Sequence, residues 1–127
     1  MNPLEEQIVR SFIEPNKRDR YLNLLAGRNR RKLLEKLNGS WDLDRRWATP
    51  IKSQQDVVAL LRSKGAPNKC YVISDIPEID GQELPLEEAI QATEEGEWGT
   101  ILGCIPGRLA YYRGEYGNER LLLERTF

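Results

Sequence analysis

Between positions 27 and 32 the chain reads Gly27-Arg28-Asn29-Arg30-Arg31-Lys32, its densest set of side chains able to bind an anion. If Asn29 caps a helix, Arg30, Arg31 and Lys32 crowd the first turn, where the helix dipole is already positive. That placement is unfavourable by about 0.3–1 kcal/mol per charge. A phosphate or carboxylate lodged there would reverse the sign, because the backbone N–H groups of a helix start also attract anions. Lys17, Arg18 and Arg20 widen the patch, Arg10 lies upstream, and Tyr21 offers a face for stacking a base. The plainer reading is a solvated or internally paired run. Should Gly27 sit inside one continuous helix, the dipole conflict disappears. Arg28, Lys32 and Glu35 fall opposite Leu33, Leu34 and Leu37; only Arg30 points to the apolar side, where it can snorkel or pair.

A second set is acidic: Asp75, Glu78, Asp80, Glu83, Glu87 and Glu88 follow the carboxyl end of an expected strand. Sites of α/β sheets often lie at such ends. Asp75 and Asp80 are the pair that could hold Mg²⁺, which would then activate water for phosphoester hydrolysis. Nuclease chemistry of that kind usually also has a lysine beside an acidic pair on a strand, and no acidic-x-Lys triplet falls on any expected strand. Asp80-Gly81 is more simply a turn, and Glu87 and Glu88 are more simply first-turn acids favoured by the helix dipole.

The chain has no histidine, the commonest general base and metal ligand. Ser74 therefore lacks a base unless a lysine serves, and no pattern places one. The two cysteines, Cys70 and Cys104, sit in apolar runs and read as buried, reduced thiols; a disulfide would need their strands to be neighbours, and a cytosolic location argues against it. They are too few for a structural zinc site without histidines. The glycines at 99, 103, 107, 114 and 117 form no phosphate-binding loop, so no cofactor is assigned. Trp41, Trp47 and Trp98 read as core or interface anchors before ligand cages. Tyr111, Tyr112 and Tyr116 cluster near the last hairpin, and alternation implies that at least one of them is exposed.

The elements that position these groups are set by periodicity. Asn2, Pro3, Glu5 and Glu6 open a helix whose apolar stripe is Ile8, Val9, Phe12 and Ile13, ended by Glu14-Pro15. Further helices are expected over about 16–26 and 29–37, the latter leaving at Asn38-Gly39. Residues 40–52 fit a turn of helix or an extended segment, with Trp41, Leu43 and Trp47 seeking burial. Ser53 and Asp56 resemble a capping box for a helix to about Lys64. The period then changes. Strands are expected at 70–74, 98–105, 109–113 and 120–124, with a helix from Pro85 to about 95. Pro106-Gly107 has type II turn chemistry, which does not match a tight hairpin, so a bulge or a looser loop is expected there.

These pieces predict an α+β fold: N-terminal helices on one face of a mixed sheet of about four strands. A right-handed, parallel crossover would join 70–74 to 98–105, and an antiparallel meander would end the chain. At 127 residues the chain suits one domain, 1–127. Its charge is sorted by half: 14 Lys/Arg against 8 Asp/Glu in the basic helical half 1–64, and 5 against 12 in the acidic half 65–127. Such asymmetry concerns partners, or the two halves folding onto each other. No apolar run is long enough for a membrane span, and the N-terminus lacks signal-peptide character, so a cytoplasmic protein is expected. The leading functional expectation is a non-enzymatic binding or regulatory domain. Its cations Lys17, Arg18, Arg20, Arg28, Arg30, Arg31 and Lys32 would engage an acidic protein surface or a second copy of the chain. A metal-dependent phosphoesterase and a nucleic-acid-binding module are the alternatives. The acidic half and the near-zero whole-chain charge weigh against a duplex.

Overall fold

Asn2 caps the first helix: its side-chain oxygen accepts from Leu4 N at 2.8 Å, Pro3 fills the first turn, and α1 runs Pro3–Phe12. The structure, a computed structural model, describes residues 2–52, 55–96, 98–115 and 119–125. A 3₁₀ turn at Pro15–Lys17 leads into α2, Arg18–Ala26. Gly27 is extended and ends that helix, so α3, Arg30–Lys36, is a separate one. α4, Val57–Ser63, is capped by Asp56, whose side chain accepts from Ala59 N at 3.1 Å. Ser53, the expected partner in that cap, lies outside the described residues. α5 spans Leu86–Gly96.

The strands are β1 (Ala48–Pro50), β2 (Lys69–Ser74), β3 (Glu83–Pro85), β4 (Thr100–Ile105), β5 (Leu109–Arg113) and β6 (Arg120–Glu124). They form one sheet in the order β1-β6-β5-β4-β2-β3, antiparallel at every pairing. The parallel crossover expected between β2 and β4 is thus replaced by an antiparallel pair with Val72 opposite Leu102. The cause is β3. It folds back on β2, with Lys69 opposite Pro85, so the chain has already reversed when α5 begins. The helix supplies the return journey, and β4 must run down again. Parity decided the sheet.

Six strands stand where about four were expected, and the additional two, β1 and β3, are the edges. Each is three residues long and ends in proline, which limits further strand addition at either edge. Both faces of the sheet are covered, not one. α1, α2 and α3 bury Ile8, Phe12, Leu22, Leu33 and Leu34 against Tyr71, Ile73, Ile101, Tyr112 and Leu123. α4 and α5 bury Leu61, Leu86 and Ile90 against Val72, Leu102, Tyr111 and Leu122. The alternation along each strand feeds two cores. Tyr111 and Tyr112 are therefore both fully buried, on opposite faces, and Tyr116, the third of the tyrosines of which at least one was expected to be exposed, lies outside the described residues.

The stretch after α3 is held by the end of α1. Ile13 bridges Leu43, Glu14 N donates to the Asp42 carbonyl at 2.9 Å, and Asp44 N donates to the Phe12 carbonyl at 2.7 Å. Leu43 is buried as expected and Trp47 half-buried, but Trp41 is 58% exposed. The Pro106-Gly107 turn carries Gly107 at φ +76°, and a register shift lies beside it between Gly103 and Ile105. No helix among the described residues is long and apolar enough to cross a membrane.

Candidate functional site

The seven expected cations fall into two groups. Arg30 is the most engaged. Its Nη1 and Nη2 donate to the two Glu5 oxygens at 2.8 and 2.6 Å, while Nε and Nη2 donate to Asp80 at 2.9 and 3.0 Å. These hydrogen bonds raise the Arg30 pKa further, so the guanidinium stays charged. It ties α3 to α1 and to the loop after β2. The Tyr71 hydroxyl donates to Glu5 Oε2, and Ser74 N donates to Asp80 Oδ1, so both carboxylates are held on more than one side. Arg31 reaches Asp75: its Nη2 donates to the Asp75 carbonyl at 3.1 Å and lies 3.2 Å from Oδ1. Two of the three cations crowding the first turn of α3 are thus answered by acids of the same chain.

Lys17 pairs with Asp42, which also accepts from the Tyr21 hydroxyl. That carboxylate raises the Lys17 pKa, and burial together with the same bond raises that of Tyr21. Arg18 donates to the Ile13 carbonyl at 2.9 Å and sits 3.8 Å from Asp44. Arg20, Arg28 and Lys32 are exposed and make no ion pair among the described residues. Asp75 and Asp80 are accordingly the acidic partners of two different arginines. No group of three or more Cys, Asp or Glu among the described residues is arranged to hold a metal ion.

The structure brings Arg31 and Asp75 together with residues that the sequence did not single out as a site. At the end of the sheet where β2 and β5 finish and β4 starts, Asn38 is a buried hub. Its side-chain oxygen accepts from Gly99 N, its amide donates to Asp75 Oδ2 at 3.1 Å, and its carbonyl accepts from Glu115 N at 2.9 Å. The Tyr112 hydroxyl donates to the Leu37 carbonyl one residue before. Gly99 is required here, because a Cβ on it would lie 2.1 Å from the Leu37 carbonyl oxygen. Above this floor lies a cavity of about 490 Å³, walled by Trp41 and Trp98 and edged by Glu35, Glu115 and Arg31. Trp98 is 46% exposed; it and Trp41 are the large apolar side chains left open among the described residues.

Trp41 also walls a second cavity of about 350 Å³, shared with Lys17, Arg20, Lys36 and Asp42. One indole therefore stands between an acid-rich hollow and a base-rich one. Gly39 leaves room for it there, since an added Cβ would overlap the ring, 1.5 Å from Cζ3. The sequence carried a trace of this in Gly39-Ser40-Trp41, a small-residue turn directly before a large ring, but pairing with Trp98 is a property of the fold.

The candidate nucleophiles are occupied or protonated. Burial pushes the Cys70 and Cys104 thiols up to about 12. Ser74 Oγ lies 2.7 Å from Thr100 Oγ1 and accepts from Ile76 N. The arrangement offers two exposed indoles, a hollow edged by carboxylates and Arg31, and beside it a hollow edged by Lys17, Arg20 and Lys36. The chain matches no family model, no curated protein and no solved structure.

Proposed function

We propose that this protein is a non-enzymatic, cytosolic binding or regulatory domain that engages an acidic macromolecular partner with the outer side of its N-terminal helices, using Trp41 as the apolar anchor. The observation that carries the reading is the 58% exposure of Trp41 beside Lys17, Arg20 and Lys36. Tryptophan packed into a partner is among the strongest interface anchors, and a charged rim mainly sets encounter rate and orientation. Lys32 lies one helical turn before Lys36 on α3, and Arg28 lies just ahead of that helix. Arg30 and Arg31 are bound to acids of the chain itself and are left out of the contact.

A fluorescein-labelled hexaglutamate peptide is the probe. Replacing Arg20, Arg28 and Lys32 together by glutamine should weaken its binding about tenfold, consistent with a few tenths to one kcal/mol for each exposed charge. The thermal midpoint should stay within about 2 °C, since surface substitutions of this sort change stability little. Unchanged affinity would overturn the reading, as would a large fall in the midpoint. Tighter binding of single-stranded DNA than of the peptide, lost steeply with added salt, would give the surface to nucleic acid instead.

A further inference from the structure

We infer that the hollow between Trp41 and Trp98 receives the cationic end of a lysine or arginine side chain from a protein partner. The inference rests on the reading that Trp41 faces such a partner, and it adds what the partner presents on the far side of that ring. Three carboxylates, Glu35, Asp75 and Glu115, border the cavity against one guanidinium, that of Arg31. Two indoles form its upper walls, and tryptophan is the best aromatic receptor for a cation. An anionic or purely apolar occupant would meet the wrong charge or leave the carboxylates without compensation.

Asp75 gives an independent pointer. Its side chain is 5% exposed, and Oδ1 accepts no hydrogen bond among the described residues. Arg31 Nη2 lies 3.2 Å from that oxygen as an ion pair, while the hydrogen bond it makes goes to the Asp75 carbonyl. A buried carboxylate oxygen that has an ion pair but no hydrogen bond keeps an acceptor position open, and a second cationic donor entering the hollow would fill it. Arg31 is half exposed and can swing aside, whereas Asn38 keeps Asp75 Oδ2 in place. A partner segment crossing Trp41 would thus set an acidic residue over Lys17, Arg20 and Lys36, and a basic one over Glu35 and Glu115.

Nα-acetyl-arginine amide is the test ligand, with the uncharged isostere Nα-acetyl-citrulline amide beside it. Binding is followed on the indole N–H resonances of Trp41 and Trp98 at low ionic strength, with half-buried Trp47 as internal reference. The expected result is saturable movement of Trp41 and Trp98 with a Kd of about 1–10 mM. Citrulline should bind at least about fivefold more weakly, as loss of the charge removes both the cation–π and the ionic contribution. E35Q/E115Q should weaken the arginine ligand by a similar factor, while E88Q/E95Q on the outer side of α5 leaves it unchanged. Equal binding of arginine and citrulline, or no movement of the two indoles, overturns the inference. If hexaglutamate still binds in that case, the acidic-partner function stands without it; if the arginine ligand binds and hexaglutamate does not, the reverse holds.

Discussion

Arg30 shows how one residue type serves two purposes along the same run. Glu5 is buried and Asp80 half-buried, and the same guanidinium grips both with four hydrogen bonds. Removing it leaves two carboxylates with their strongest donor gone, which in buried pairs is destabilising by about 3 kcal/mol or more. R30Q should therefore lower the unfolding free energy obtained from urea titration by that amount, through a lower midpoint at unchanged slope, whereas R28Q, two residues earlier and exposed, should stay within about 0.5 kcal/mol. Equal effects would mean that Arg30 is as dispensable as its neighbour. The sequence did isolate Arg30 as the cation pointing to the apolar side of its helix. It had no means of supplying the partners, because Glu5 and Asp80 are 25 and 50 positions away. Helical period finds a direction; only tertiary folding finds the acid.

At the scale of elements, α1 was legible to its cap because its determinants are local: Asn2, Pro3 and the Ile8, Val9, Phe12 stripe. The sheet direction was not. β1 and β3 are three residues each, too short to show alternation, and β3 alone sets the direction in which β4 must run. Trp41 failed for a different reason. Aromatic residues near a helix exit normally turn inward, but the turn through Gly39 lays this ring across the backbone and leaves its far side open. That seat makes a prediction. G39A forces the indole off the backbone; since the ring is largely in solvent it can move cheaply, so stability should change little. Hexaglutamate and acetyl-arginine amide should both bind several-fold more weakly, because the ring walls both hollows. An unfolded G39A would place the turn in the core, and unchanged binding would remove Trp41 from the contact.

For the whole molecule, the two opposed charge blocks are partly consumed by each other. Arg30 with Asp80, Arg31 with Asp75, Arg62 with Glu87 and Lys64 with Glu124 all join the basic half to the acidic one. What the sequence presented as a single positive tract is divided by folding into internal ties and an outward remainder. A second base-rich hollow, bordered by Lys64, Arg108 and Arg125 with Glu124, lies at a different part of the sheet, so acidic probes have two places to choose from. Exposed indole beside the cations is what distinguishes the Trp41 surface. The most direct measurement is a map of backbone and indole N–H shifts on titration with hexaglutamate. Movement concentrated at Lys17, Arg20, Lys36 and the Trp41 indole is the predicted outcome; movement centred on Lys64, Arg108 and Arg125, with Trp41 still, would contradict it.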